Sequence, residues 1–258
     1  MTGPFDTTVD GDLLDAFTST TGAPASVALV ARIFEVQNLA REALVPASIQ
    51  HAAVGGVHGE HDLVVHRPLV AGERLRTSAR RHGIRPAGRN TAVTLHYVTV
   101  AGDDSLVAEQ WWTTVFLGVS ADADGEPPPD HRFSDEARAR PTGTHAVDVE
   151  RGLARRYAEL SSDWSAHHFE VEAARQSGFD RPFLHGLCTM ALCAGGLVEL
   201  VGGGEPERVR RVAVRFASPA YVGDEVTVRA FEAGDRTYAF EADAGGAAVV
   251  RNGLLELR

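Results

Sequence analysis

Apolar and polar residues alternate with period two in both halves of this chain, as at Val93, Leu95, Tyr97 and again at Val226, Val228, Ala230. That period marks half-buried strands. The pattern predicts strands over Leu75–Arg81, Thr91–Val100 and Glu109–Leu117 in the first half. In the second half it predicts strands over Val226–Phe231, Thr237–Ala242 and Ala248–Leu257. Upstream of each set lies an apolar, helix-compatible segment, Ile49–Val57 and Leu187–Leu200. A short motif, Pro-x-x-x-Gly-acid-x-aliphatic, precedes the strands twice, from Pro68 to Leu75 and from Pro219 to Val226. The chain therefore reads as two copies of one α+β unit, a helix followed by an antiparallel sheet.

The segment Ser120–Thr144 breaks this pattern with three consecutive prolines, several acids and almost no aliphatic residues. It is expected to be an extended linker. The expected boundaries are 1–119 for a first unit, 120–144 for the linker and 145–258 for a second unit. With 258 residues and 44% apolar side chains, each unit can bury a core of its own. The net charge of -10 argues against nucleic acid as a partner, since that needs a basic face. No apolar run reaches membrane-spanning length, and the start MTGPFDTTVDGD lacks a signal-like core, so no membrane contact and a cytoplasmic location are expected. Cys188 and Cys193 share one apolar stretch and read as buried free thiols.

The chemistry concentrates between Tyr157 and Thr189. Asp163 and His168 stand five residues apart across Ser161-Ser162-Asp163-Trp164-Ser165, whose short polar side chains compete with helix. A break there lets a carboxylate and an imidazole face one volume. Pro182-Phe183-Leu184-His185-Gly186 then opens an apolar helix whose first amides have no intrahelical partners. Such a set suits acid–base work on a carbonyl compound. His185 reads as a structural ring bonded to backbone, and His167 as solvent-facing if the local chain is extended. His58 and His61 have the wrong order and no third ligand for a metal site. The arginines of Arg208–Phe216 fit either a solvated strand face or a phosphate-binding one. Of the adjacent Trp111 and Trp112, one is expected in the core and the other at a pocket or interface.

The stretch resembles the motif of the MaoC-like (R)-specific enoyl-CoA hydratase / 3-hydroxyacyl-thioester dehydratase family. That pattern runs roughly Y-x-x-L-S-G-D-x-N-P-[LI]-H, an acidic spacer, G-F, then P-[IF]-x-H-G-[LM]. Tyr157, Leu160, Ser161, Asp163, His168, Ala174, Gly178, Phe179, Pro182, His185, Gly186 and Leu187 stand at matching places. Ser162, Ser165 and Ala166 depart from its Gly, Asn and Pro. The Asn-to-Ser change at Ser165 matters most, because it shortens a polar reach beside the catalytic pair.

The resemblance implies a tandem, or double, hotdog fold, each unit a sheet wrapped around a central helix, with only the second unit catalytic. It implies Asp163 and His168 as the acid–base pair and the Gly186 amide as the contact for the thioester carbonyl. Ser165, His185 and Arg215 are candidates for substrate binding, and the first unit for shaping an acyl tunnel. No metal or redox cofactor is implied; coenzyme A or a phosphopantetheine arm would arrive with the acyl thioester. A homodimer is expected from the even pairing of hotdog units. Two alternatives stay open: a hotdog thioesterase, and a non-catalytic acyl-thioester-binding protein or partner subunit.

Overall fold

The structure is a computed structural model that describes all residues 1–258. The first unit runs β1 (Thr2–Thr8), α1 (Gly11–Thr21), α2 (Leu29–Leu44), α3 (Ala47–Ala52), β2 (Gly55–Val65), β3 (Arg74–Ala87), β4 (Asn90–Ala101) and β5 (Leu106–Leu117). The connection holds β6 (Asp124–Gly125) and α4 (Asp135–Arg138). The second unit repeats the order: β7 (Pro141–Asp148), α5 (Leu153–Ser161), α6 (Val171–Gln176), α7 (Gly186–Val201), β8 (Val209–Phe216), β9 (Glu225–Gly234), β10 (Thr237–Ala244) and β11 (Ala247–Leu257).

The strands join in the order β1-β3-β4-β5-β2-β8-β11-β10-β9-β7, and every pairing is antiparallel. That order mirrors itself about the β2–β8 pair, as two copies of one unit joined edge to edge require. It is the double hotdog arrangement the sequence led us to expect. The repeated Pro-x-x-x-Gly motif marks equivalent turns. Gly72 donates to the Val9 carbonyl at 2.8 Å while Val9 donates to Glu73; Gly223 donates to the Val149 carbonyl at 2.9 Å while Val149 donates to Asp224. Both glycines have positive φ, +81° and +91°, which explains why glycine stands at each.

The two central helices differ. α7 is apolar nearly all round, with 12 of its 16 residues buried, so it must be enclosed on every side. α2 buries one stripe, including Val30, Ile33, Gln37 and Ala40, at helical spacing. Cys188 and Cys193 are buried free thiols within α7. No helix is long and apolar enough to cross a membrane.

The structure corrects the helix expected over Ile49–Val57. Only Ala47–Ala52 is helical there: Ala53 is already extended, and β2 begins at Gly55. The first unit's central helix is α2, whose Arg, Glu, Gln and Asn residues hid its apolar stripe. The segment 120–144 also departs from a bare extended spacer. β6 pairs with β3, Pro141–Thr144 begin β7, and His131 is buried with Nδ1 donating to the Asn252 carbonyl at 2.5 Å. Arg138 binds Glu241 and covers the Phe133 ring.

The join between units carries a buried ion pair. Arg211 on β8 grips Asp62 on β2 at 2.7 Å and Glu256 on β11 at 3.1 Å, with side-chain exposures of 14% for Arg211 and 4% for Asp62. The arginine stretch is thus neither wholly solvated nor wholly free for phosphate.

Candidate active site

α5 ends at Ser162, which takes the left-handed conformation at φ +59° and turns the chain sharply. Left-handed backbone favours glycine, which accounts for the Gly of the family pattern at this place. The turn delivers Asp163. Its Oδ1 accepts from the Ser165 amide at 3.1 Å and from the Ser165 hydroxyl at 2.5 Å, a local Asx-type closure. Ser165 therefore orients the carboxylate. Residues 166–168 form one 3-10 turn and bring His168 back beside it.

His168 Nδ1 donates to the Phe183 carbonyl at 2.8 Å, which leaves Nε2, 3.1 Å from His167 Nε2, as the nitrogen near Asp163. Nε2 lies 3.7 Å from Asp163 Oδ2, too far for a good direct hydrogen bond and close enough for both to meet one small reacting group. The Phe183 carbonyl is held in turn by the bridge of Phe183 to Tyr221 and by Leu184 donating to the Ala220 carbonyl at 2.8 Å. His185 stacks on His168 with ring centres 3.7 Å apart and donates from Nε2 to the Asp163 backbone carbonyl at 2.9 Å. It thereby ties the start of α7 to the acid loop.

Gly186 is the first residue of α7, where amide N–H groups lack intrahelical acceptors. A Cβ at Gly186 would sit 3.3 Å from the Phe216 ring, so the bare backbone is what lets this amide line the cavity. Asp163, Ser165, His168, His185 and Gly186 all line one cavity of about 730 Å³. Arg215 does not. It projects 59% exposed from β8, 3.9 Å from Glu60, while its neighbour Phe216 faces the cavity.

Burial works against the Asp163 charge, yet polar contacts with His168 and Ser165 and the adjoining His185 ring hold its carboxyl down at about 2. Burial, with His168 beside it, pushes His185 down to about 3. Burial and His168 likewise push His167 down to about 4. At neutral pH the site thus pairs one carboxylate with neutral His167 and His185 rings. Asp163, His168 and His185 bring potential metal donors within 4.8 Å of one another. His168 Nδ1 and His185 Nε2 are committed to carbonyls, which leaves His168 Nε2, beside His167, and the unpartnered His185 Nδ1 as the remaining ring nitrogens of this set.

Two cavity residues escaped the sequence reading. His167 is not solvent-facing: its ring stacks on Phe183, 5.1 Å between centres, and its Nε2 lies 3.1 Å from His168 Nε2. A 3-10 turn does not throw adjacent residues to opposite sides as a strand would. The family pattern has Leu or Ile at this place, so His167 was a legible fourth departure. His58, from the first unit, also lines the cavity, stacked at 3.8 Å on Trp112. Trp111, the other of the pair, stacks instead on His96 at 4.4 Å.

Residues 133–250 match the sequence model of the MaoC like domain. Peroxisomal multifunctional enzyme type 2 of Mus musculus is 25% identical over 208 residues, 78% of this chain and 27% of its own length. The 3-hydroxyacyl-thioester dehydratase Y of Mycobacterium tuberculosis is 30% identical over 177 residues, 66% of this chain and 60% of its own. The chain spans less than two thirds of either relative. A MaoC-like dehydratase from Phytophthora capsici shares the fold at TM-score 0.85, covering 99% of this chain and 95% of that one at 21% identity.

Proposed function

Because the chain belongs to the MaoC-like dehydratase family and folds as a double hotdog, we propose that it interconverts trans-2-enoyl and (R)-3-hydroxyacyl thioesters by adding or removing water. The observation that carries this reading is the facing of Asp163 Oδ2 and His168 Nε2 across 3.7 Å in a cavity that Gly186 also lines. Hydration needs a proton taken from water as its oxygen bonds C3, and a proton returned to C2. Asp163 and His168 serve as that acceptor and donor, and dehydration runs the same transfers in reverse. The Gly186 amide, at the positive end of α7, stabilises the negative charge that gathers on the thioester oxygen meanwhile. The family relation supports an acyl thioester as substrate, and the name of the Mycobacterium tuberculosis relative, a 3-hydroxyacyl-thioester dehydratase, supports dehydratase chemistry.

A thioesterase of this fold would place a carboxylate on the central helix. α7 carries only Glu199, in its last turn and outside the main cavity, which argues against that reading. The first test follows loss of the enoyl absorbance when crotonyl-CoA and a longer trans-2-enoyl-CoA meet the protein. Wild type should hydrate at least one, and Asp163→Asn should be slower by about a hundredfold or more. Binding without turnover in folded wild type would favour an acyl-thioester-binding protein instead. Release of free thiol would favour the thioesterase.

A further inference from the structure

The first unit's share of the cavity wall is more polar than a saturated acyl chain requires. Gln37 on α2 is only 4% exposed and lines the cavity. The fully buried Tyr97 hydroxyl donates to its Oε1, and no protein group accepts from the Gln37 N–H groups. These donors are available to a group in the cavity.

His58 adds a second polar group by an unusual route. Residues three apart on a strand face opposite sides, so His58 and His61 should diverge. A bulge in β2 leaves Gly59 without a partner between His58, opposite Thr114, and Glu60, opposite Thr113. His58 and His61 consequently share one face, and both rings contact Trp112. Gly59 allows this, since a Cβ there would sit 2.7 Å from the Val115 side chain. The bulge aims His58 at the cavity, and its Nε2 has no partner in the protein. The site of chemistry is near: His58 packs on Phe216 at 4.9 Å between centres, and Phe216 packs on Gly186. Burial, with His61 beside it, holds His58 well below its usual value, against the Glu60 backbone and Asp163, so the ring is neutral and can donate or accept.

We propose that Gln37 and His58 form a polar subsite for the acyl group, and that the thioesters this protein takes carry a hydrogen-bonding oxygen, hydroxyl or carbonyl, on the chain beyond C3. The proposal rests on the hydratase reading for its thioester, but its test does not depend on turnover. Trans-2-enoyl-CoA esters of one length, unsubstituted or bearing a hydroxyl or oxo group at successive positions from C5 outward, are compared in hydration rate. Their saturated counterparts are compared by calorimetric binding.

Wild type should favour one oxygenated position over the plain chain by about tenfold or more, as sites built around buried polar groups do. His58→Phe, which keeps the stack on Trp112 but not the polar atoms, and Gln37→Leu should each shrink that ratio to about threefold or less. His58→Gln should retain most of it. Wild type that binds and turns over plain and oxygenated chains alike, at every position, would overturn the subsite while leaving the hydratase intact. Selective binding with no hydration would sustain the subsite and sink the hydratase. Wild-type selectivity decides the matter even where a variant fails to fold.

Discussion

The two units share one order of elements yet reach their central helices by different routes. In the second, α5 ends at left-handed Ser162 and residues 162–185 intervene before α7. That stretch has room for Asp163, the turn to His168 and the Phe183 carbonyl that orients it. In the first, α1 ends at left-handed Gly22, φ +69°, and α2 begins at Leu29 after a short 3-10 turn. The chain there closes on the opposite helix instead. A Cβ at Gly195 of α7 would lie 2.7 Å from the Gly22 backbone, so the two backbones meet with no side chain between them. What remains is a cavity of about 230 Å³ around Thr20–Gly22, His145 and Gly195. One repeat keeps room for the candidate site in its long loop; at the mirrored place two backbones meet and leave only the smaller cavity.

The sharpest way to break this comparison is at the open site. Asp163→Asn should cut hydration by about a hundredfold or more, whereas no single change around Gly22 should do so without unfolding the protein. An effect on hydration no larger at Asp163 than at Thr21 would remove the functional distinction between the units.

Next comes the seam. Asp62→Asn leaves Arg211 with one of its two carboxylates while still buried, and should cost about 3 kcal/mol of stability. Urea unfolding would read this as a lower midpoint. An unchanged midpoint would mean that the β2–β8 join does not depend on the pair.

The second unit's candidate site was legible because its motif lies within about thirty residues. Ser162, Asp163 and His168 are brought together by turns that residue type alone suggests. The first unit was less so. The helical stripe of α2 lies among charged residues, and the apolar run around Ile49 looked more helical than it is. The bulge at Gly59 could not be foreseen, since it exists only through the pairing of β2 with β5. Hence the cavity role of His58 was invisible, and the spacing to His61 suggested only a poor metal motif.

Acid should weaken both units. His61 is held at about 4 by burial, despite its bond to Gln110, and His185 at about 3 by burial and His168. Each binds its proton less readily folded than unfolded, where the value is near 6.5. Stability is therefore full above about 6.5 and falls as pH drops toward 4. By pH 5 these two buried rings together should cost about 4 kcal/mol. Asp163 acts lower down: its depressed carboxyl adds stability above about 4 that is lost toward about 2. Melting temperature followed from pH 8 to pH 4 should stay level and then drop below about 6.5. A flat curve to pH 4 would show that these rings are not kept neutral by the fold.

The closed site gives a smaller effect. Gly195→Ala pushes a methyl against the Gly22 and Thr21 backbone and should cost about 2 kcal/mol. Hydration per folded molecule should persist, because α7 is displaced far from Gly186. Normal stability would mean that the first unit's turn yields easily, and that its closure is not fixed by this contact.

The smallest change tests whether the two turns are equivalent. Gly22 and Ser162 occupy the same left-handed position at the end of α1 and α5, but only Gly22 does so without a Cβ penalty. Ser162→Gly should therefore stabilise the protein by about 1 kcal/mol, less the flexibility that glycine adds to the unfolded chain. The Ser162 backbone need not move, so Asp163 should keep its bonds to Ser165 and hydration should be unchanged within about twofold. Stabilisation with full activity would mark Ser162 as tolerated strain. Stabilisation with a loss of activity would mean that the serine side chain, or the stiffness it gives the turn, helps to aim the carboxylate, and that the two repeats differ at this position for a catalytic reason.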